Sequence, residues 1–143
     1  DPIPSRGLGD VYKRQPIQVA AASALSSDPS TIAKVREVYK KRRNVLVDAM
    51  SKAGWEIPSP DATMFAWAPI PEKFKSLGSL EFSKVLLKEA DISVAPGIGF
   101  GEYGENFVRI GLVENEHRIR QAARNIKAVF TKADKILSDH SPN

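Results

Sequence analysis

The chain contains no cysteine among its 143 residues, so disulfides, thiolate metal sites and a cysteine nucleophile are excluded. It has no apolar run near the ~20 residues of a membrane span. No basic segment followed by an apolar one marks a signal peptide. Together these absences predict a cytoplasmic protein without a membrane partner.

Neither sign of charge dominates, since the formal net charge is only +4. The densest basic cluster, "YKKRRN" (Tyr39–Asn44), has the composition of a phosphate-binding patch. Its lysines and arginines fall inside a helical pattern whose apolar stripe lies elsewhere, and that arrangement favours a solvated helix face. We therefore predict no nucleic-acid partner.

The first fifteen residues, Asp1–Gln15, show neither a helical nor a strand period. They resemble translated sequencing-adapter sequence of the kind found at the ends of reading frames from assembled reads. We interpret them as a non-native head and exclude them from the fold argument. On this interpretation the chain is a fragment whose native protein begins upstream of Pro16.

Two helices are predicted next. Pro16–Ser27 is Ala-rich and suits a buried helix. The second runs over Asp28–Ala53, with Asp28 as its N-cap, Pro29 at the first helical position and Gly54 as its C′ glycine. Its apolar stripe consists of Ile32, Val35, Val38, Tyr39, Leu46, Ala49, Met50 and Ala53. A helix of this length suggests a connection between two bodies rather than a part of one core.

From Trp55 onward the pattern predicts a small α+β unit, a sheet covered by helices. The predicted strands are Trp55–Pro58, Thr63–Ile70, Ile92–Pro96 and Asn106–Val113. The predicted helices are Ser79–Ala90 and one from about Asn115. In the first helix Ser79 is the expected cap, and the inward residues are Phe82, Val85, Leu86 and Ala90. In the last, the inward stripe is Ile119, Ala122, Ile126, Val129, Phe130, Ala133 and Leu137.

The strand "NFVRIGLV" (Asn106–Val113) carries an arginine in its middle. Alternation places Val108 on an apolar face and Arg109 on the other, beside Gly111. One interpretation is an ion pair at the sheet surface. The other is bidentate capture of a carboxylate in the space that Gly111 leaves open.

Neither a glycine-rich motif nor the two histidines predict a ligand site. "GFGEYG" (Gly99–Gly104) matches the dinucleotide fingerprint, but a strand follows it where the fingerprint needs a helix N-terminus. Its glycines instead predict a loop that passes close to another group. His117 and His140 have no partner at metal-ligand spacing, so we predict no metal site.

The segment "DATMFAWAPIPEKFKSLGSLEFSKVLLKEADISVAPGIGFGEYGENFVRIGLVENEHRIRQAARNIKAVF" resembles the C-terminal part of class I/II pyridoxal-phosphate aminotransferases. The combination P-G-x-x-F-G-x-x-G followed by F-V-R-I is specific, and "PIQVAAASAL" continues the match upstream. Within the family the chain most resembles the bacterial alanine (glutamate–pyruvate) aminotransferases.

The resemblance implies an α/β parent of fold type I. Residues 16–27 would end its large cofactor-binding domain, 28–53 would form the interdomain helix, 54–137 the small domain and 138–143 a frayed tail. Arg109 would bind the α-carboxylate of the amino-acid or 2-oxo-acid substrate. The parent would be a homodimer that uses pyridoxal 5′-phosphate, with alanine as the favoured amino donor.

The Schiff-base lysine of the family lies upstream of the matched segment, as do its other cofactor-binding residues. Lys13 lies in the head and Lys34 on the connecting helix, so neither replaces it. We therefore expect no catalytic and no cofactor-binding residue in this chain, no bound cofactor and no activity. We also expect poor solubility, and better behaviour from a chain that starts near Gly54.

Two alternatives stay open. The chain could be a free-standing module that uses Arg109 to bind carboxylates or amino acids without chemistry. It could also be a basic interaction domain that uses the face of Tyr39–Asn44. An upstream lysine in a Ser-x-x-Lys context would select the aminotransferase.

Overall fold

The computed structural model of the chain describes residues 14–139. Nearly all of the predicted head, and His140 with the residues after it, lie outside the described residues. The chain divides into two compact units, with the boundary between Val35 and Arg36. The second unit carries the sheet and therefore Arg109.

The first unit contains helix α1 (Gln15–Ser26) and the start of helix α2 (Ser30–Lys52). The predicted Ala-rich helix forms, but none of its residues is buried. Asp28 caps α2 as predicted, because its carboxylate accepts the Ser30 hydroxyl at 2.7 Å and the Ser30 N–H at 3.0 Å. These hydrogen bonds, that of the hydroxyl above all, hold the pKa of Asp28 below its usual value.

Only the C-terminal part of α2 packs into a core. Leu46 and Met50 are 2% exposed, whereas Ile32 and Val35 are 65% and 52% exposed. The apolar stripe read from the sequence is therefore buried along only part of its length. The second unit begins at Arg36, and the start of the small domain at residue 54 stays a prediction.

The end of α2 follows the predicted glycine pattern. Gly54 has φ +88°, and its N–H donates to the Ser51 carbonyl at 2.9 Å. The next N–H, that of Trp55, reaches back to the Met50 carbonyl at 2.9 Å. This six-to-one hydrogen bond is the Schellman arrangement, which satisfies carbonyls that the helix end leaves free.

The predicted strand Trp55–Pro58 is wrong, since these residues have no strand partner and lie in an irregular segment. The segment alternates like a strand because Trp55 and Ile57 are buried, although no backbone hydrogen-bond ladder forms there. The Trp55 N–H closes the helix, and its indole Nε1 donates to the Pro69 carbonyl at 2.7 Å. A side-chain hydrogen bond thus anchors the segment to the sheet in place of backbone pairing.

Three strands form one antiparallel sheet in the order β1-β3-β2. They are β1 (Phe65–Pro69), β2 (Ala95–Pro96) and β3 (Phe107–Gly111). Each is shorter than its predicted segment, and the two-residue β2 is shortened most. The Leu112 N–H extends the β1 pairing by donating to the Met64 carbonyl at 2.8 Å.

Helix α3 (Gly78–Ala90) packs on the sheet after a 3-10 helix at Glu72–Leu77. All four residues predicted to point inward are buried: Phe82, Val85, Leu86 and Ala90. Ser79 as the helix cap is wrong, because the helix starts one residue earlier and has no side-chain cap at its own N-terminus. The carboxylate of Glu105 accepts the Ser79 N–H instead, at 3.1 Å.

The last predicted helix is two helices, α4 (Glu116–Thr131) and α5 (Ala133–Asp139), separated at Lys132. Asn115 caps α4, and its Oδ1 accepts the N–H groups of His117 and Arg118 at 3.1 Å each. The apolar stripe continues across the break. Four predicted members are buried, namely Ile119, Ile126, Val129 and Ala133, and the other three, Ala122, Phe130 and Leu137, are half-buried. Ala123 and Ile136, which were not predicted, are also buried.

One face of the sheet lies on the helices. Ala66, Ala68 and Val108 are fully buried in the same core cluster as Phe82 and Ile126. The opposite face carries the alternate residues of β1 and β3 and is partly open. The predicted α+β arrangement is therefore present, and it leaves one sheet face for another role.

No helix among residues 14–139 is long and apolar enough to cross a membrane.

Candidate functional site

Arg109 lies in the middle of the central strand. Its register partners are Trp67 on β1 and Ala95 on β2. Its strand neighbour Val108 is fully buried on the helix side, so alternation places the Arg109 side chain on the open face, as the sequence predicts. Strands on both sides fix the backbone from which the guanidinium extends.

The guanidinium of Arg109 lies over two phenylalanine rings. The Cζ atom of Arg109 lies 4.3 Å from the ring centroid of Phe65 and 4.5 Å from that of Phe100. We call these two rings the aromatic clamp. Trp67 supports it, because its ring meets Phe100 edge-on at 5.7 Å and stacks on Phe107 at 5.6 Å.

The charge of Arg109 has no counter-ion within residues 14–138, where none of the salt bridges includes it. The surface ion pair considered from the sequence therefore does not form in this part of the chain. The Nε atom is buried and has no hydrogen-bond acceptor among the residues that the structure describes. A cation over two rings without an anion is suited to receive one.

Space is present at Gly111, two residues after Arg109 on the same strand. Gly111 is exposed, and a Cβ atom placed there would meet only the Val113 side chain, at 3.8 Å.

A positive φ of 74° at Thr63 precedes the strand that carries Phe65. Such a conformation is uncommon for a β-branched residue. The Thr63 hydroxyl accepts the Phe65 N–H at 3.2 Å, which ties this turn to the clamp.

The glycine loop supplies the other ring. Residues Gly97–Phe100 and Glu102–Gly104 form two 3-10 turns, and β3 follows them. No helix begins at Gly104, so the dinucleotide fingerprint lacks the helix N-terminus that binds pyrophosphate. The loop instead makes the close approach that the glycines predict and carries Phe100 over Arg109.

A buried serine fastens this loop to α3. The Ser79 hydroxyl donates to Glu105 Oε2 at 2.9 Å and accepts the Ile98 N–H at 3.0 Å. Glu105 Oε1 accepts the Ser79 N–H at 3.1 Å. Ser79 is fully buried. We call this set of three hydrogen bonds the Glu105 bridge.

The basic cluster is only partly a solvated face. Lys40 and Lys41 are exposed, as predicted, but Arg42 and Arg43 are half-buried. Arg42 donates to the Leu112 carbonyl at 3.1 Å, and Arg43 donates to the Pro60 carbonyl at 3.2 Å. These arginines therefore hold loops against α2, and the interaction-domain alternative loses two of its four charges.

The remaining polar candidates do not assemble. His117 is exposed, and His140 lies outside the described residues. Within the part of the chain that the structure describes, no three residues of the metal-binding types come together. Arg109 is therefore the residue on which the candidate site depends.

Sequence reasoning missed the residues that surround Arg109. Phe65 and Trp67 lie on the same face of the sheet as Arg109, because the β1–β3 register pairs Trp67 with Arg109. Strand alternation could have predicted that face once the two strands were paired. Phe100 and Glu105 had no local signal. Their contacts depend on how the loop folds back over the sheet.

Comparisons with known proteins agree with the resemblance. Residues 9–126 match the family described as aminotransferase class I and II. This range includes the last part of the predicted non-native head, whose origin stays a prediction. The family and its fold, as inferred from the sequence, are confirmed.

Two curated relatives and one solved structure are representative. Putative aminotransferase AatC of Rhizobium meliloti (strain 1021) is 65% identical over 122 residues, which cover 85% of this chain and 30% of that protein. Glutamate-pyruvate aminotransferase AlaC of Escherichia coli (strain K12) is 52% identical, with coverages of 85% and 29%. An aromatic aminotransferase from Pyrococcus horikoshii OT3 superposes with a TM-score of 0.71 at 30% identity, covering 82% of this chain and 32% of that one. The chain spans about 30% of the length of the curated relatives.

Proposed function

The chain belongs to the class I and II aminotransferase family, and from this premise we propose that it is the C-terminal part of a pyridoxal-phosphate-dependent aminotransferase. The whole enzyme would exchange an amino group between an L-amino acid and a 2-oxo acid. It would act in the cytoplasm as a homodimer. The observation that carries this proposal is Arg109, a clamped guanidinium without a counter-ion in the described chain.

The role of Arg109 is to bind the substrate α-carboxylate. A guanidinium offers a planar fork of donors that matches the two oxygens of a carboxylate. Because Cζ lies over both rings and Nε is buried, the Nη atoms are the donors left for a ligand. Two parallel charge-assisted hydrogen bonds from these donors would fix the carboxylate in the guanidinium plane.

Alanine is the favoured amino donor, with 2-oxoglutarate or pyruvate as the oxo acid. The similarity to the glutamate-pyruvate aminotransferase AlaC, 52% identical to this chain, supports that choice. Alanine has only a methyl group to accommodate, so its recognition depends heavily on the carboxylate. Other relatives carry names for larger substrates, such as LL-diaminopimelate, so the side-chain pocket decides among them.

Pyridoxal phosphate does not fit the described residues. When bound it serves as an electron sink and needs a lysine that forms an imine with it. Such a lysine reacts as a free amine when it is desolvated, yet every lysine among residues 14–138 is exposed. We therefore assign no cofactor-binding residue to this chain and propose that it is inactive alone.

Two measurements test the proposal. Purified chain is mixed with pyridoxal phosphate and treated with borohydride, and no stoichiometric adduct on one specific lysine is expected. The upstream reading frame is then recovered and expressed together with this chain. Transamination of alanine and 2-oxoglutarate, with a reducible imine on an upstream lysine, is the expected result. A specific adduct on the 143-residue chain, or an inactive restored enzyme with bound cofactor, contradicts the proposal.

The binding-module alternative has one observation in its favour, since Arg109, both rings of the clamp and the Glu105 bridge all lie in the second unit. A start codon near Pro16 in the source genome would favour that alternative. A Ser-x-x-Lys segment encoded upstream in the same frame would favour the aminotransferase.

A further inference from the structure

A continuous set of contacts connects a carboxylate on the loop to the guanidinium of Arg109. Glu105 holds Ser79 through two hydrogen bonds, and Ser79 holds the Ile98 N–H. Two residues later the same 3-10 turn carries Phe100, whose ring lies 4.5 Å from the Arg109 Cζ atom. Glu105 itself has no ion pair with Arg109 or any other cation in the described chain.

Phe100 depends on this support because the protein covers it poorly. Its side chain is 53% exposed, and its described ring contact is with Trp67, itself 39% exposed. The loop has no long helix or strand of its own, and 3-10 hydrogen bonds have poorer geometry than α-helical ones. The Glu105 bridge, centred on a fully buried serine, fixes the loop at Ile98.

We infer that Glu105 is a positioning residue: through Ser79 and the loop it keeps Phe100 on Arg109 and so fixes the plane of the guanidinium. This inference deepens the proposed function, because a fixed plane limits the ligand to edge-on approach by a flat carboxylate. The clamp is the part of the site that turns a mobile cation into an oriented one. The bridge is what keeps the clamp closed.

Nuclear magnetic resonance on the complete 143-residue chain tests the inference without any substrate or cofactor. A proton above an aromatic ring resonates upfield, so the Arg109 Nε–H signal reports whether the rings are in place. The ¹⁵N relaxation of the same group reports how freely the guanidinium moves on the ps–ns timescale. Both are measured at mildly acidic pH, where exchange with water is slow.

Glu105→Gln is the main variant, because it removes the carboxylate charge while leaving both rings in the chain. We expect the Arg109 Nε–H signal to lose part of its upfield shift, and its ¹⁵N relaxation to show greater mobility. Both values should approach those of Phe100→Leu, the variant that lacks the ring. Ser79→Ala, which breaks the same bridge at its centre, should move the signal in the same direction. Phe100→Tyr keeps a ring and should preserve the shift.

Matched controls come from the same loop. Glu102→Gln makes the identical chemical change at an exposed residue outside the bridge, and Tyr103→Leu removes a ring that is 92% exposed. Both should leave the Arg109 signal unchanged. If Glu105→Gln and Ser79→Ala also leave it unchanged while both variants are folded, the inference is overturned. An inactive restored enzyme would remove the proposed function but would not alter this resonance.

Discussion

Gly97 and Gly104 lie against each other in the loop before β3, and the backbone of each occupies the place where the other would carry a Cβ atom. A Cβ on Gly97 would overlap the Gly104 carbonyl, and one on Gly104 would overlap the Gly97 carbonyl. Both glycines are buried. The two ends of the loop therefore close on each other, and Phe100 lies on the segment that they enclose.

We predict that Gly97→Ala destabilises the chain by about 1–3 kcal/mol, the usual cost of forcing extra atoms into a packed site. Backbone atoms cannot rotate away as a side chain does. Gly99→Ala is the control, because nothing lies within 4 Å of its Cβ position, and it should stay within about 0.5 kcal/mol. Urea unfolding of both variants decides the matter, and equal midpoints would contradict the close contact.

A chain that starts at Arg36 should fold, and one that starts at Gly54 should not. The shorter chain loses Leu46 and Met50, both 2% exposed, and truncating one such side chain typically costs about 2–5 kcal/mol. Two losses of that size rival the whole stability of a domain. The sequence instead predicts better behaviour from a chain that starts near Gly54, and the two expectations can be compared directly. Cooperative thermal unfolding is expected only for the longer chain, and cooperative unfolding of both would show that α2 is dispensable.

Trp55 connects the end of α2 to the sheet. Trp55→Phe keeps a ring but leaves the Pro69 carbonyl without its indole donor, and we expect a loss of about 1–3 kcal/mol. Trp67→Phe is the control, since this second tryptophan is 39% exposed and should change stability less. Denaturant unfolding followed by far-UV circular dichroism compares them. A larger loss for Trp67→Phe would mean that the anchor is unimportant.

The Asp28 cap should fail in acid. Its pKa is lowered in the folded chain by hydrogen bonds from Ser30, so its contribution is present above the unfolded pKa of about 3.9. The contribution is lost as the pH falls through the lowered folded value. The Ser30 amide shift, followed by titration, should show an inflection at a pH below the ordinary pKa of an aspartate. In Asp28→Asn that inflection should disappear, because an amide caps the helix without titrating; its persistence would assign the titration to another group.

In the restored enzyme, Arg109→Ala should lower kcat/KM by about 30-fold to several thousand-fold, equivalent to ~2–5 kcal/mol for one lost partner of a buried charge pair. Arg109→Lys keeps the charge but not the fork, so its loss should be smaller. The effect should be similar for alanine, glutamate and their oxo acids, which share the α-carboxylate. Arg120→Ala, an exposed arginine on α4, serves as control. Near-wild-type rates for Arg109→Ala would remove Arg109 from substrate binding.

Local patterns were sufficient wherever one segment determines its own structure. The Asp28 cap, the Gly54 helix end and the inward face of α3 depend on residues within a few positions of each other, and all are present. The placement of Arg109 opposite the core follows from alternation alone. A carboxylate ligand was one of two interpretations of the local pattern, and only the family resemblance implied that it is the α-carboxylate of a substrate.

Long-range contacts account for what was missed. Trp55–Pro58 alternates like a strand, but its tryptophan is committed to a helix end and to the Pro69 carbonyl. Ser79 has the composition of a cap, yet a carboxylate 26 residues away in sequence binds its N–H. Arg42 donates to a carbonyl 70 residues away. Single-sequence patterns hold no information about such partners.

Helix α2 is one continuous helix, but its first turns are exposed and its last turns are buried in the core. Its last turns open only when the core around Leu46 and Met50 opens, whereas its first turns, with Ile32 and Val35 exposed, can unwind alone. Amide hydrogen exchange should therefore slow progressively along this one helix, from rates of local fraying to the rate of global unfolding. This single helix thus contains both the amides that exchange fastest, by local fraying, and those that exchange slowest, by global unfolding. The early turns can be lost or remodelled without a cost to the fold that carries Arg109.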